Sequence, residues 1–69
     1  MEKNIIAQRI RAFRKLKGFT QNELADQLDV SIAILGAIER GTRKPDQKII
    51  RKISEVLGIE PEELLPVAK

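Results

Sequence analysis

The stretch from Phe19 to Gly41 constrains the fold of this chain most, because it predicts two short helices joined by a tight turn. Thr20 can cap the first helix through its hydroxyl, and Glu23 can accept a hydrogen bond in return from the Thr20 amide. Ser31 is a suitable N-cap for the second helix. Gly41 ends that helix, because glycine readily takes the left-handed conformation common after a helix C-terminus. Two short helices joined in this way form a helix-turn-helix.

Apolar residues at helical spacing predict three further helices, and nothing in the sequence favours a strand. The first helix runs over about residues 5–17, and the fourth runs over about residues 47–57 after the N-cap Asp46. The fifth begins at Pro61, because proline suits the first turn of a helix. The residues of these helices expected to face the core are Ile6, Ile10, Phe13, Leu16, Ile50, Ile53, Leu57, Leu64 and Leu65.

The length of 69 residues and this helix pattern predict one all-α domain of five helices over residues 1–69. The helix-turn-helix occupies about residues 20–40 of that domain. The two ends, residues 1–4 and 67–69, are expected to be frayed. Pro66 is expected to stop the last helix, since proline cannot continue it.

The residue types that the chain lacks limit the kinds of covalent, metal-binding and acid–base sites that it can form. It contains no cysteine and no histidine. Disulfides and thiolate metal sites are therefore excluded, as are the commonest general base and the commonest transition-metal ligand. No apolar run reaches the length of a membrane span, and no signal-peptide pattern opens the chain. We therefore expect a cytoplasmic protein without metal, cofactor or membrane partner, and not an enzyme.

The formal net charge of +3 is unevenly distributed. Residues 1–19 carry six basic residues against one acidic residue, and residues 40–52 carry the same numbers, so each block has a net charge of +5. The intervening residues 20–39 carry −4, and residues 53–69 carry −3. Two basic blocks beside a helix-turn-helix suit a polyanion such as DNA. The alternative is that these charged residues only form the solvated faces of helices.

A family resemblance rests on four short motifs: Thr20-Gln21-Asn22-Glu23-Leu24-Ala25, Val30-Ser31, Ile38-Glu39-Arg40-Gly41 and Lys44-Pro45. Together they resemble the Cro/C1-type DNA-binding domain, also called lambda-repressor-like or XRE, over residues 6–65. The resemblance implies a compact five-helix fold and a repressor-like transcriptional regulator of bacterial or phage type. It also implies that a recognition helix, residues 32–39, lies in the major groove of double-stranded DNA.

The resemblance further implies which residues contact DNA. Gln21 matches a family position that bonds a phosphate and braces the recognition helix, although a generic helix-start residue is the other interpretation. The loop after the recognition helix runs along the sugar-phosphate backbone in this family, where cationic and hydroxyl side chains suit phosphate oxygens. The implied DNA-binding residues are Gln21, Ser31, Ile32, Ala33, Ala37, Arg40, Thr42, Arg43 and Lys44.

Two structural features also follow from the resemblance. Arg14 and Glu39 match family positions that form an ion pair between the first helix and the recognition helix; two separate exposed side chains are the alternative. Asp29 stands in the turn, where many family members have glycine. Aspartate tolerates the left-handed conformation expected there, so the substitution should cost some stability without changing the fold.

The recognition helix departs from the family pattern. Family members usually carry Gln, Arg, Asn, Ser or Lys at the positions of Ile32, Ala33 and Ala37, where those side chains read base edges by hydrogen bonds. Here all three residues are apolar, and Ser31 is expected to be occupied as a cap. Thymine methyl contacts, backbone contacts and DNA shape remain, so we expect weakly selective binding.

The same apolar residues support a second hypothesis of another class. Residues 32–34 would form an apolar tip that docks on a protein partner, and the fold would serve as an adaptor or antagonist. The two basic blocks favour DNA over this alternative, because a purely protein-binding module has no need of them.

A weak homodimer through the C-terminal region is also predicted. Ile49 and Val56, together with either Leu65 or Val67, supply apolar surface beyond the needs of one small core. A two-fold dimer would place two recognition helices about 34 Å apart, one turn of DNA. The alternative is a monomer that buries these residues internally.

Overall fold

The computed structural model describes residues 5–65, which form five helices. Their bounds are α1 Ile5–Leu16, α2 Gln21–Leu28, α3 Ile32–Arg40, α4 Gln47–Leu57 and α5 Pro61–Leu64. No residue of the described range lies in a strand, and the predicted all-α, five-helix fold is confirmed. The predictions for residues 1–4 and 67–69, for Pro66 as a helix stop and for Val67 at a dimer interface lie outside the described residues.

Local capping explains where the central helices begin. The Glu23 amide donates to Thr20 Oγ1 over 3.0 Å, and the Thr20 amide donates to Glu23 Oε1 over 2.9 Å. This is the reciprocal capping box predicted for α2. Asp46 caps α4 in a simpler way, because its Oδ1 accepts from the Ile49 amide over 2.8 Å. Each such cap is worth about 1 kcal/mol of helix stability.

One cluster of buried apolar side chains joins all five helices. Its members are Ile10, Leu24, Ala25, Leu28, Leu35, Ile38, Ile50, Ile53, Leu57 and Leu64. Full burial of each large aliphatic side chain stabilises the fold by about 1.5–3 kcal/mol relative to exposure. Both α2 and α3 contribute to this cluster, so the helix-turn-helix is held by the same core as the rest of the fold.

Two residues predicted to face this core are exposed, and the prediction was wrong for both. Leu16 is 75% exposed. At about 100° per residue, it lies nearly a quarter-turn away from the stripe formed by Ile6, Ile10 and Phe13. Leu65 is 36% exposed, because α5 ends at Leu64 and the backbone of Leu65 is extended. Leu64 alone closes the core at this end.

Candidate DNA interface

A three-residue turn sets the geometry of α2 and α3. Asp29 adopts φ 62° and ψ 39°, and within residues 5–65 it is the one non-glycine residue with positive φ. This left-handed conformation lets the Asp29 amide donate to Asp26 O over 3.1 Å and the Val30 amide donate to Ala25 O over 3.1 Å. The chain then passes through Val30 to Ser31, which is the N-cap of α3. The left-handed turn at Asp29 agrees with the prediction from sequence.

An ion pair joins α1 to α3. Arg14 Nε lies 2.7 Å from Glu39 Oε2, and Arg14 Nη2 donates to Glu39 Oε1 over 3.1 Å. The side chains of Arg14 and Glu39 are 11% and 1% exposed, so the pair is almost fully screened from water. The remaining Arg14 nitrogen, Nη1, donates to Phe19 O over 2.9 Å. The structure therefore contains the pair that the resemblance implies, and extends it to the loop before α2.

Gln21 adds a third donor to the same carboxylate. Its Nε2 donates to Glu39 Oε1 over 3.0 Å, which connects the first residue of α2 to α3. Glu39 thus accepts three hydrogen bonds, and among the described residues no buried side-chain nitrogen or oxygen lacks a partner. A buried carboxylate is tolerated only when it is satisfied in this way. The network fixes the orientation of α3 relative to both α1 and α2.

The outer face of α3 is apolar over most of its length. Ile32 is 43% exposed, Ala33 is exposed and Ala37 is half-buried. Ile34 differs from the prediction, because it is half-buried and packs against the core cluster. It lies about 200° around the helix from Ile32, on the core side. The apolar tip predicted over residues 32–34 is therefore reduced to Ile32 and Ala33.

Ser31 keeps a hydrogen-bond donor despite its role as a cap. Its Oγ accepts from the Ile34 amide over 3.2 Å, and the residue is exposed. A serine hydroxyl has one donor hydrogen in addition to its acceptor lone pairs. Capping uses one lone pair, so the hydroxyl hydrogen remains able to donate. The predicted role of Ser31 as an N-cap is therefore confirmed.

Arg40 lies along the outer face of α3, over Gly36. A Cβ built on Gly36 would meet Arg40 Nη1 at 3.3 Å and Gln21 Nε2 at 4.0 Å. Gly36 is buried although it has no side chain. The absent side chain therefore gives the guanidinium room to fold back along the helix. The only sequence signal for this arrangement is a glycine four residues before an arginine.

The loop after α3 has exposed cationic side chains, but the hydroxyl of Thr42 is hydrogen-bonded within the protein. The Thr42 amide and Oγ1 both donate to Ala37 O, over 3.0 and 3.2 Å, and the Arg43 amide donates to the same oxygen over 3.3 Å. Because a threonine hydroxyl has one hydrogen, Thr42 cannot donate to a phosphate while this bond is made. The side chains of Arg40, Arg43 and Lys44 are exposed.

The basic residues of α1 fall into two groups. Arg9 is half-buried, and its Nη1 donates to Leu65 O over 3.0 Å and to Glu63 O over 3.4 Å. This contact ties α1 to the end of α5. The exposed cations on α1 and just after it are Arg11, Lys15 and Lys17.

Residues 5–65 contain neither a cluster of metal-binding side chains nor a membrane-spanning helix. That part of the chain contains no group of three or more acidic side chains placed to hold a metal ion. Its longest helix, α1, has 12 residues, and no helix described combines the length and apolar character needed to span a bilayer.

The capped helix pair, the left-handed turn and the brace on α3 define a helix-turn-helix of the kind that DNA-binding regulators use. The chain belongs to the helix-turn-helix family, of the Cro/C1 (XRE) type, because the family model described as Helix-turn-helix matches residues 10–64. The resemblance found in the sequence is thereby confirmed. The predicted class, a DNA-binding transcriptional regulator, is confirmed as well.

Similar proteins support this assignment. The chain is 52% identical over 69 residues to the uncharacterized HTH-type transcriptional regulator YazB of Bacillus subtilis, and the match covers 100% of both chains. It is 37% identical over 62 residues to the HTH-type transcriptional regulator SinR of Bacillus subtilis, covering 88% of this chain but 56% of SinR. The crystal structure of the restriction-modification controller protein C.AhdI from Aeromonas hydrophila superimposes with a TM-score of 0.87. That match has 34% identity and covers 93% of this chain and 97% of that one.

Proposed function

We propose that this protein represses transcription by holding α3 in the major groove of double-stranded DNA, with most of the affinity coming from phosphate contacts. The observation that carries the proposal is the contrast between the apolar outer face of α3 and the exposed cations at its C-terminal end. Its outer face presents Ile32, Ala33 and Ala37, whereas exposed cations follow in Arg40, Arg43 and Lys44. Cations that neutralise phosphates bind without regard to sequence, whereas base contacts select it.

The proposed phosphate contacts come from two places. Arg40, Arg43 and Lys44 supply charged donors at the end of α3 and in the following loop. Gln21 supplies a neutral donor at the start of α2, because its amide nitrogen has two hydrogens and only one bond to Glu39 is present. Thr42 contributes by closing the C-terminus of α3 and so positioning Arg43.

The proposed base-facing residues are Ser31, Ile32, Ala33 and Ala37. Only Ser31 offers a side-chain hydrogen-bond donor. A bidentate side-chain contact discriminates against a wrong base by about 1–3 kcal/mol, and none of these four side chains can form one. Selectivity between sequences should therefore be small, and repression would depend on occupancy of the site under low-salt or high-concentration conditions.

A two-fold homodimer is part of the proposal, because two weak half-sites would combine their affinities. Ile49 and Val56 lie seven residues apart on one face of α4, where both are half-buried against the core cluster. Leu65, after α5, is exposed. The half-buried positions retain apolar surface that a second copy would cover. Sedimentation equilibrium over rising protein concentration tests this, with Val56→Glu as the interface variant; a monomer at the highest concentration would remove dimerisation from the proposal.

The test of DNA binding is selection from a random duplex library at two salt concentrations, followed by titration of the enriched and the starting pools. We expect binding to both pools, a small difference between them, and a log–log salt slope of about −0.9 per phosphate neutralised. A strong, salt-insensitive preference for one sequence would contradict weak selectivity. Absence of duplex binding even at low salt would contradict the DNA function and favour protein docking at Ile32 and Ala33.

A further inference from the structure

Apart from Arg40, which folds over Gly36 and is proposed to bind a phosphate, the outer face of α3 carries aliphatic groups where a base reader normally carries hydrogen-bonding groups. Ile32 is 43% exposed at the first residue of the helix, and Ala33 beside it is exposed. Ala37 lies one turn further along and is half-buried. These side chains offer only aliphatic carbon. Whatever they discriminate in a DNA groove must therefore be an apolar feature of the base pairs.

Only one feature of unmodified bases fits that description. In the major groove, thymine presents a C5-methyl group, whereas the edges of adenine, guanine and cytosine present nitrogen and oxygen donors or acceptors. Alanine and other small apolar side chains make favourable contact with this methyl group. Polar base edges would instead lose water against Ile32 without gaining a hydrogen bond, which is unfavourable.

The spacing of the side chains matches the spacing of base pairs. A rise of about 1.5 Å per residue separates Ala33 and Ala37 by about 6 Å along the axis of α3. Successive bases on one strand are about 3.4 Å apart. Ile32 and Ala37 are about 7.5 Å apart along that axis, so the three side chains span about two base-pair steps. The ion pair and Gln21 hold them in a fixed orientation.

We propose that α3 reads thymine C5-methyl groups through Ile32, Ala33 and Ala37, so that the preferred half-site carries thymines within about two base-pair steps of each other. This inference rests on the proposed function, because it names the base feature recognised at the same interface. Each methyl contact buries about one carbon and is worth about fourfold in affinity, which is less than a bidentate hydrogen bond supplies. A small preference summed over a few thymines is consistent with weakly selective binding.

The test replaces thymine by uracil in the duplex enriched by selection, one position at a time. Uracil lacks only the methyl group, so base pairing and the phosphate charge are unchanged. We expect about fourfold weaker binding at each of two or three positions within a half-site and no change at positions outside the protected region. Equal affinity for the thymine and uracil duplexes, or selection that enriches no sequence, would overturn the inference while leaving DNA binding intact.

A second arm separates methyl reading from hydrogen-bond reading. At a sensitive position, a pair of 5-methylcytosine with guanine should bind like thymine with adenine, whereas unmodified cytosine with guanine should bind like uracil with adenine. Hydrogen-bond readout would instead make uracil bind like thymine and 5-methylcytosine bind like cytosine, because it follows the base edges and not the methyl group. That grouping would overturn the inference.

The variant Ile32→Ala tests whether the side chain of Ile32 is responsible for the uracil penalty. It should reduce the uracil penalty at one position from about fourfold to less than twofold, because the contacting carbons are removed. Leu16→Ala is the matched control: it removes exposed apolar surface from α1, outside α3, and should leave the uracil penalty unchanged. Identical penalties in Ile32→Ala and the unmodified protein would overturn the role of Ile32. Absence of binding to any duplex at low salt would instead overturn the proposed function itself.

Discussion

Arg14 and Glu39 are 25 residues apart in the chain and meet through two hydrogen bonds of 2.7 and 3.1 Å. Arg14 lies on α1, whereas Glu39 lies near the C-terminus of α3, so the contact connects two helices that have no direct link along the chain. The carboxylate is buried and accepts a further hydrogen bond from Gln21. The position of the recognition helix therefore depends on a polar contact as well as on the apolar core.

Removal of one partner of this pair should destabilise the protein more than removal of both. Arg14→Ala leaves the Glu39 carboxylate buried without its cation, and breaking a buried pair in this way costs about 3–5 kcal/mol. That is a large part of the total expected for 69 residues, about 3–10 kcal/mol. The double variant Arg14→Ala/Glu39→Ala removes the lone charge and should recover part of the loss. Urea denaturation of the single and double variants measures both effects.

Two further variants make this prediction decisive. If Arg14→Ala does not fold, Arg14→Ala/Glu39→Gln should fold better, because the amide carries no charge into the interior. Arg11→Ala is the matched control, since Arg11 is an exposed arginine on the same helix and should change stability by less than about 0.5 kcal/mol. Strictly additive losses in Arg14→Ala and Glu39→Ala would show that the two side chains do not stabilise each other.

The turn at Asp29 predicts a stabilising substitution. Asp29 has φ 62°, a conformation that costs non-glycine residues energy because Cβ approaches the carbonyl oxygen. Asp29→Gly should raise the free energy of unfolding by about 0.5–1 kcal/mol, or Tm by about 2–8 °C. Asp29→Asn removes the charge but keeps the tolerance of this conformation, so its Tm should stay close to that of the unmodified protein. An equal rise in Tm in both variants would show that loss of the negative charge, and not the freer backbone of glycine, stabilises the protein.

Local interactions were predicted well from the sequence. The caps at Thr20, Ser31 and Asp46 depend on residues within three positions of each other, and a sequence shows these directly. The positive φ at Asp29 depends on the short turn between two capped helices. The Arg14–Glu39 pair, in contrast, spans 25 residues and came from the family resemblance alone.

The errors arise where the path of the chain decides which atoms meet. Leu16 and Leu65 fit an apolar pattern, but each lies where its helix ends and the core no longer extends. The phosphate contact predicted for Thr42 stays a prediction, but residue type did not show that the reversal of the chain after α3 brings its hydroxyl to Ala37 O. The packing of Ile34 against the core likewise depends on how α3 is rotated. Residue type alone contains none of this information.

Gly36 predicts a second stabilising substitution, coupled to Arg40. Glycine within a helix costs about 0.8–1.0 kcal/mol relative to alanine, so Gly36→Ala should raise Tm. The new Cβ would lie 3.3 Å from Arg40 Nη1, the end of a flexible side chain that can move aside. The gain should therefore be larger in an Arg40→Ala background, where that contact is absent. Gly58→Ala is the control: its φ of 70° makes alanine unfavourable there, so Tm should fall.

Arg43 should contribute to DNA affinity without contributing to selectivity. Its exposed guanidinium is proposed to neutralise one phosphate, so Arg43→Ala should weaken binding almost equally on all sequences. The log–log salt slope should become shallower by about one unit. Lys52→Ala removes an exposed cation from α4 that has no proposed phosphate contact and should leave the slope unchanged. Equal slope changes in the two variants would indicate a diffuse charge effect and not a contact.

Ala33 is the position at which selectivity should be easiest to introduce. It is exposed in the first turn of α3. Glutamine forms bidentate hydrogen bonds with adenine, which discriminate against other bases by about 1–3 kcal/mol. Ala33→Gln should therefore enrich a site containing adenine by about 5- to 150-fold over its competitors, with a smaller change in affinity for random DNA. Ala12→Gln, an exposed alanine changed on α1, is the control and should enrich nothing new. If Ala33→Gln strengthens binding equally to all duplexes, or leaves the enriched sequence unchanged, residue 33 does not face the bases and α3 does not enter the groove by its N-terminal turn.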